Sequence, residues 1–183
     1  MRHKIFLVVA LVVAASVFPA TLFAQGAPEG RGPGGQAGGP PPPPPQTIDL
    51  ATAKKMIAAA EAAATTANAH VAICVLDSNG DVVLYERMDT APSRAVTSAA
   101  GKARAALLFG IPTVQVSDAM RAGKPISTTI NNPAAGNWEI TIQQGGLPIM
   151  KNGKMIGAIG AGGSAPANDE KFAQAGIDAV TEH

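Results

Sequence analysis

The sequence predicts an α+β fold in which a mainly antiparallel, five-stranded sheet is packed with helices. Two Asn-Gly dipeptides, at 79–80 and 152–153, each separate two runs of β-type residues, which is the typical sequence of a β-hairpin. Around these hairpins lie segments that repeat small apolar residues at helical spacing. Strands joined as hairpins are antiparallel, so the pattern disfavours a doubly wound parallel sheet.

The first 46 residues are expected to lie outside this fold. Residues 1–24 begin with a basic stretch and continue as an apolar run, the pattern of a signal peptide that is cleaved after Ala24. Pro19 interrupts the run, so we expect no stable membrane insertion after cleavage; an uncleaved signal anchor is the alternative. Residues 25–46 form a Gly/Pro-rich linker with almost no apolar side chains. The sequence therefore predicts a periplasmic or secreted protein.

Residues 47–183 have the length of one domain and a net charge of −1, from 11 Lys and Arg and 12 Asp and Glu. The aromatic residues of this domain are Tyr85, Phe109, Trp138 and Phe172. A near-neutral domain with so few aromatic rings lacks the basic surface and the stacking platforms of nucleic-acid-binding proteins. Nucleic acid is therefore not expected as a partner.

The helices are recognised by their apolar spacing and by the residues at their ends. The first begins at Thr47 or Asp49, either of which can cap it, and fades near Asn68. Its predicted buried face consists of Leu50, Ala53, Ile57, Ala60 and Ala64. The second has Ser93 as its N-cap and ends at Gly110.

A short third helix is expected from Ser117, and a closing helix has Ser164 or Asn168 as its cap. Asp169 and Glu170 fall in the first turn of the closing helix, where the helix dipole favours carboxylates. The glycine-rich stretch before this helix lacks the lysine of a Walker loop, and the two carboxylates would repel phosphate. Its glycines are therefore expected to serve turns and close packing.

Five segments are predicted to be strands because they are short, contain β-branched residues and are bounded by turn residues. They are residues 70–76, 81–88, 136–143, 147–150 and 155–163. Both Asn-Gly turns are expected to be of type I′, with positive φ at both central residues.

Several blocks of the domain, in order, resemble the GlcG/HbpS family of haem-binding proteins. They are "ICVLDSNGDVVLYERMD", "GKARAA", "GGLPI", "NGKMIGAIGAGGS" and "NDEKFAQAGI", and the resemblance covers residues 48–180. It implies a profilin-like sandwich that assembles as a homo-oligomer. It also implies a haem ligand, because the family includes secreted haem-binding and redox-sensing proteins, besides a protein associated with glycolate use. Because these functions are mixed, the fold transfers better than the activity.

A site for haem b requires an axial ligand, an apolar slot and cations for the propionates. His70 is the candidate metal ligand, since His3 precedes the predicted cleavage site and His183 is the last residue. A solvated histidine at the edge of a loop is the alternative. Tyr85 and Met88 are further candidate ligands, through phenolate and thioether groups, although each is also explained as a packing residue.

Three basic residues are candidate partners for the propionates, namely Arg87, Arg94 and Lys102. Arg87 has an alternative role, in which it forms an ion pair with Asp77 or Asp89 and fixes the end of the second strand. The sequence does not distinguish these two roles.

Two functions follow from these candidates. The first is an exported haem-binding or tetrapyrrole-binding protein for haem storage, sensing or scavenging, in which Gly146 and Gly157 contact the flat ligand or merely serve packing. The alternative is an enzyme or accessory protein that acts on a small hydroxy-carboxylate such as glycolate, held by Arg87 and Lys102. A partner-binding oligomer is a third hypothesis. No catalytic residue is assigned, because the domain has no Ser/His/Asp set, no paired-histidine motif and one cysteine, Cys74.

Overall fold

The computed structural model of the protein describes residues 48–128 and 138–181, which contain four helices and four strands. The helices are α1 (Leu50–Thr66), α2 (Ala95–Phe109), α3 (Thr113–Arg121) and α4 (Pro166–Asp178). The strands are β1 (Ala72–Asp77), β2 (Val82–Arg87), β3 (Gly146–Lys151) and β4 (Lys154–Gly162). The predicted signal peptide and linker lie outside the described residues. Within the described ranges, no helix has the length and apolar character needed to cross a membrane.

The four strands pair antiparallel throughout, in the order β2-β1-β4-β3. Helices α1 and α4 pack on one face of the sheet, against Ile73, Val75 and Ile159. Helix α2 packs on the other face, against Cys74 and Leu76. Because side chains alternate between the two faces of a strand, β1 contributes to both cores and is buried along its whole length. The predicted α+β fold with an antiparallel sheet is confirmed.

The predicted fifth strand is not confirmed. The sequence predicts a strand over 136–143, and the described part of it, from Trp138 onwards, contains none. This segment instead runs beside α2, where the Thr141 N–H donates to the Gly101 carbonyl over 2.9 Å. A Cβ atom on Gly101 would lie 2.4 Å from Thr141 Oγ1, so glycine is required at this approach. Trp138 packs against the α2 core, so the β-type residues of this segment lie against a helix rather than a neighbouring strand.

The two Asn-Gly hairpins have different turns. Asn152 and Gly153 have φ values of 51° and 73°, as a type I′ turn requires. In the first hairpin only Gly80 has a positive φ, of 88°, and its N–H donates to the Asp77 carbonyl over 3.1 Å. The Asp77 carboxylate accepts a hydrogen bond from the Asp81 N–H at 3.1 Å and so supports a three-residue loop. The prediction of a type I′ turn is therefore wrong for the first hairpin.

Of the predicted helix caps, two are confirmed. Asp49 Oδ1 accepts a hydrogen bond from the Thr52 N–H at 2.7 Å, and Gly110 ends α2 with a φ of 67°. Neither α2 nor α4 has a side-chain N-cap, which corrects the predictions for Ser93, Ser164 and Asn168. At α4 the Asp169 carboxylate, one turn into the helix, accepts from the Ser164 N–H at 3.0 Å instead. This turns Asp169 inwards, towards α2.

Two helical details differ from the predictions. Leu50 was expected on the buried face of α1, but its side chain is 48% exposed, and Met56 is fully buried. Helix α3 begins at Thr113, directly after Pro112, rather than at Ser117. The remaining predicted positions of the α1 face are buried: Ala53, Ile57, Ala60 and Ala64.

Glycines on β4 allow α2 to lie directly on the sheet. A Cβ atom on Gly160 would lie 2.3 Å from the Ala99 carbonyl oxygen and 2.6 Å from the Ala103 nitrogen. A Cβ atom on Gly162 would lie 2.9 Å from the Ala95 carbonyl oxygen. The backbone of α2 therefore fills the space beside these glycines. Their role is close packing, as expected, and it fixes the first turn of α2 at the end of β4.

Candidate functional site

One end of the sheet brings together four of the predicted site residues. His70 precedes β1, Arg87 is the last residue of β2, Met88 follows it, and Arg94 precedes α2. The register pairs Ala72 with Arg87. This end of the sheet, defined by His70, Arg87, Met88 and Arg94, is called the histidine end below.

Backbone contacts hold the parts of the histidine end together. The Met88 N–H donates to the Val71 carbonyl over 2.9 Å and ties the end of β2 to the start of β1. Gly163, at the end of β4, has a φ of 125°, and a Cβ atom there would lie 2.9 Å from the His70 carbonyl oxygen. The same atom would lie 3.1 Å from Ala95 Cβ, so the start of α2 is also adjacent.

The side chains at the histidine end differ in their availability to a ligand. His70 and Arg94 are exposed, and Met88 is half-buried against the α1 and α4 core. The exposed Arg87 donates a hydrogen bond from its guanidinium to the Ala91 carbonyl. An imidazole and two guanidinium groups are therefore accessible at one end of the sheet.

Arg87 does not form the ion pair that was considered for it. Asp77 lies at the opposite end of β1, where its carboxylate binds the first hairpin turn. The ion pairs within 4.0 Å in the described part of the chain are Lys102–Asp169 and Arg121–Asp118, and Asp89 is in neither. The Ala91 carbonyl, rather than a carboxylate, fixes Arg87 at the strand end.

Tyr85 lies in β2, two residues before Arg87, and its ring packs on the α2 core. Its hydroxyl donates to the Val96 carbonyl. Burial raises the pKa of Tyr85 to about 12, and the neighbouring Cys74 acts in the same direction. The structure therefore favours the packing role, because a phenolate ligand requires the deprotonated form.

A cleft of about 790 Å³ lies between α2, the segment 139–143 and the start of α4. Lys102 Nζ and Asp169 Oδ2 lie 2.7 Å apart on its wall, in an ion pair whose side chains are 1% and 2% exposed. Arg94 and Glu139 also line the cleft. The formal charges of these four residues cancel. Lys102 is therefore placed to neutralise Asp169 rather than to bind a propionate.

Protein atoms fill the space beside both candidate glycines. A Cβ atom on Gly146 would lie 2.3 Å from the Lys102 carbonyl oxygen. A Cβ atom on Gly157 would lie 2.2 Å from the Leu76 carbonyl oxygen and 2.5 Å from Ile48 Cδ1. These contacts agree with the packing role and leave no room for a flat ligand against either glycine.

Sequence reasoning missed Asp169 as a site residue. It was predicted only as a carboxylate in the first turn of the closing helix, and its partner Lys102 is 67 positions away. A lysine flanked by small residues on a buried helix face was the available signal, because such a lysine requires a counter-charge. No residue near Lys102 in the sequence indicates which carboxylate supplies this counter-charge. Among the described residues, no group of three or more His, Cys, Asp or Glu side chains is placed to hold a metal ion.

The comparisons with known proteins agree with this fold. A family model described as "Haem degrading protein HbpS-like" matches residues 48–178. The chain belongs to this family. A curated relative from Citrobacter freundii, an uncharacterized 15.0 kDa protein of the dhaT-dhaS intergenic region, is 35% identical over 119 residues. The match spans 65% of this chain and 82% of the relative.

Two solved structures have a similar fold. A double mutant of HbpS from Streptomyces reticuli is 25% identical, with a TM-score of 0.65 over 84% of this chain and 99% of that chain. A PduOC:heme complex is 22% identical, with a TM-score of 0.64 over 73% of this chain and 95% of that chain. Because the PduOC chain is only 22% identical, its similarity shows the fold alone. The resemblance drawn from the sequence blocks is thus confirmed.

Proposed function

We propose that this chain binds haem b at the histidine end of the sheet, for storage, sensing or scavenging. The observation that carries the proposal is the convergence of exposed His70, Arg87 and Arg94 at one end of the sheet in an HbpS-like chain. A haem complex is known for a protein of the same fold, PduOC. Haem supplies a redox-active iron whose behaviour depends on its axial ligand.

The residues at the histidine end fit this group. An exposed imidazole at His70 is available as an axial ligand, and the Arg87 and Arg94 guanidinium groups suit two propionates. Arg94 also lines the neighbouring cleft, where Ile140 and Ile142 supply apolar surface. Half-buried Met88 is the second candidate axial ligand, through its thioether sulfur. Tyr85 and Lys102 are omitted because one is packed as a neutral phenol and the other neutralises Asp169.

The first experiment is an absorption titration of residues 47–183 with ferric haem. We expect a saturable complex with a histidine-type spectrum, and His70→Ala should weaken binding at least tenfold or change the ligand-field bands. The matched control is His183→Ala, which removes the other histidine of the domain and should change neither. An unchanged complex in His70→Ala would assign the ligand elsewhere, and an absence of any complex would overturn the proposed function.

A second experiment tests the two arginines. Arg87→Gln and Arg94→Gln should each weaken haem binding several-fold and leave the ligand-field bands unchanged, because a propionate partner does not touch iron. Arg121→Gln, at an exposed arginine on α3, is the control and should bind haem normally. Bands that shift in either variant would contradict the proposed role, since they would place that arginine at the iron.

The small hydroxy-carboxylate function is not favoured. It requires Arg87 and Lys102 to converge beside strand glycines. Arg87 lies at the exposed end of β2, whereas Lys102 is buried in α2 with Asp169. Atoms of Ile48 and of β1 fill the space beside Gly157. These positions give an acid no pair of accessible cations at the predicted place.

Export and self-assembly belong to the same proposal. We propose cleavage after Ala24, which mass spectrometry of the protein from its native host should detect as a new N-terminus at Gln25. An intact Met1 on a soluble protein would contradict export.

We also propose a homo-oligomer, and light scattering of residues 47–183 should give a mass that is a multiple of the single chain. A monomer at all concentrations would contradict assembly.

A further inference from the structure

The end of the sheet opposite His70 carries a groove of about 710 Å³ between the start of α1, the β3–β4 hairpin and the end of α4. Ile48, Met56 and Ile149 close its floor, each at most 3% exposed, so the accessible apolar surface comes from half-buried Ile156 and Val180 at its sides. Met150 stands at its edge with 52% of its surface exposed. The volume lies within the range of about 300–1,000 Å³ that is typical of small-molecule sites.

The groove and the histidine end are separate. Ile48, on the groove floor, covers Gly157, whereas Gly163 lies beside His70. Six residues of extended strand span roughly 20 Å, so no single small molecule contacts both places. A ligand of the groove is therefore independent of the haem proposal.

The rim of the groove is positively charged. Lys55 and Lys151 line it, and neither takes part in an ion pair within 4.0 Å among the described residues. Asp49 also lines it, but its carboxylate is used by the Thr52 N–H at the start of α1. That hydrogen bond, with a smaller contribution from Lys55, lowers the pKa of Asp49, so the residue stays ionised. Among the described residues that line the groove, one positive charge remains in excess.

We infer that this groove binds a monomeric, long-chain carboxylate. The accessible apolar surface of Met150, Ile156 and Val180 matches an alkyl chain, and the excess cationic charge beside it matches a single anionic head group. An uncharged polar ligand would leave this apolar surface unused, and a small acid without a chain would not reach both features. Exposed Met150, which has a flexible thioether, can close over the chain.

The probes are octanoate, decanoate and dodecanoate below their micellar concentrations, titrated calorimetrically into residues 47–183. Each added methylene that is buried should tighten the Kd about threefold to fourfold. Decanol, which has the same chain length as decanoate without the charge, should bind several-fold more weakly than decanoate. Binding that does not depend on chain length would overturn the inference.

Matched substitutions locate the site. Met150→Glu should weaken decanoate binding at least tenfold, whereas Met120→Glu, at a methionine of equal exposure on α3, should not. Lys55→Gln and Lys151→Gln should each weaken it several-fold, whereas Lys54→Gln, at the next exposed lysine of α1, should not. Equal affinity in Met150→Glu and Met120→Glu would overturn the inference.

Two further outcomes would also overturn it. One is binding to vesicles of anionic phospholipid with no binding of monomeric decanoate, which would assign the groove to a lipid surface. The other is loss of decanoate binding in His70→Ala, which would place the carboxylate at the histidine end. Haem titration of Met150→Glu separates the two proposals, because it should retain the haem spectrum of the unsubstituted domain.

Discussion

Lys102 of α2 and Asp169 of α4 form a buried ion pair. Their side chains are 1% and 2% exposed, and their closest charged atoms are 2.7 Å apart. Asp169 also accepts from the Ser164 N–H, so both of its oxygens have donors. Removal of two charges from water costs free energy that the attraction between them must offset. The lysine therefore cannot be interpreted without its distant partner, which the sequence alone does not identify.

Substitution of one partner should reveal this dependence. Lys102→Met leaves a buried carboxylate without a counter-charge and should lower the free energy of unfolding by about 3–5 kcal/mol in urea melts. Arg121→Met removes one partner of the exposed pair with Asp118 and should cost less than about 1 kcal/mol. The double variant Lys102→Met/Asp169→Leu should be more stable than Lys102→Met. Equal stability of the double and single variants would contradict the pairing.

Cys74 and Tyr85 predict a loss of stability in alkaline solution. Burial raises the pKa of Cys74 from 9.0 to about 12 and that of Tyr85 from 10.0 to about 12. Between about pH 9 and 12 the unfolded chain therefore binds fewer protons than the folded chain, so stability falls as the pH rises. Urea melts from pH 8 upwards should show this slope, and it should be smaller in Cys74→Ala. An identical slope in Cys74→Ala would contradict the buried thiol.

At the scale of elements, the sequence predicted what depends on local pattern. The helices, the two hairpins and the antiparallel pairing follow from apolar spacing and Asn-Gly turns, and all are present. The strand predicted over 136–143 is not confirmed, because Trp138 and Thr141 contact α2 and its core rather than a neighbouring strand. Ser93 failed as a cap because α2 begins one residue later, after Arg94. A run of β-branched residues does not show whether the segment pairs with a strand or packs on a helix.

Because α2 lies so close to the sheet, a methyl group added at Gly160 should destabilise the fold. In Gly160→Ala the new Cβ atom would lie 2.3 Å from the Ala99 carbonyl oxygen, so α2 must move away from β4. We expect a loss of about 2–4 kcal/mol in the free energy of unfolding, because overpacking against backbone cannot relax through a side chain. Gly153→Ala, with a φ of 73° and no atom within 4 Å, is the control and should lose only about 1 kcal/mol.

Equal losses in these two variants would mean that backbone strain, rather than helix packing, determines the cost at position 160. Gly160 also affects the candidate haem site at the histidine end. Gly160 and Gly162 hold α2 against β4, and the start of α2 carries Arg94 to the histidine end. Gly160→Ala should therefore also weaken haem binding, without a change in the haem spectrum.

At the scale of the molecule, the antiparallel sheet has two chemically different ends. His70, Arg87 and Arg94 mark one of them, and Lys55 and Lys151 mark the other, beside an apolar groove. The sequence indicated His70, Arg87 and Met88 because they fall at the ends of predicted strands. It did not indicate the groove, because its lining combines α1, the β3–β4 hairpin and the segment after α4, which are far apart in the chain. Such a surface follows from tertiary packing alone.

Ile48 anchors the start of the described fold to the sheet. This side chain is 2% exposed and covers Gly157, whereas Leu50, two positions later, is 48% exposed. Residues 47–183 should therefore unfold with the same free energy as residues 25–183, since Ile48 is the first buried core residue among the described ones. In the shorter chain Ile48→Ala should cost about 2–4 kcal/mol and Leu50→Ala less than about 1 kcal/mol, measured by urea unfolding. A larger loss in Leu50→Ala than in Ile48→Ala would mean that α1 packs on the sheet in a different rotation.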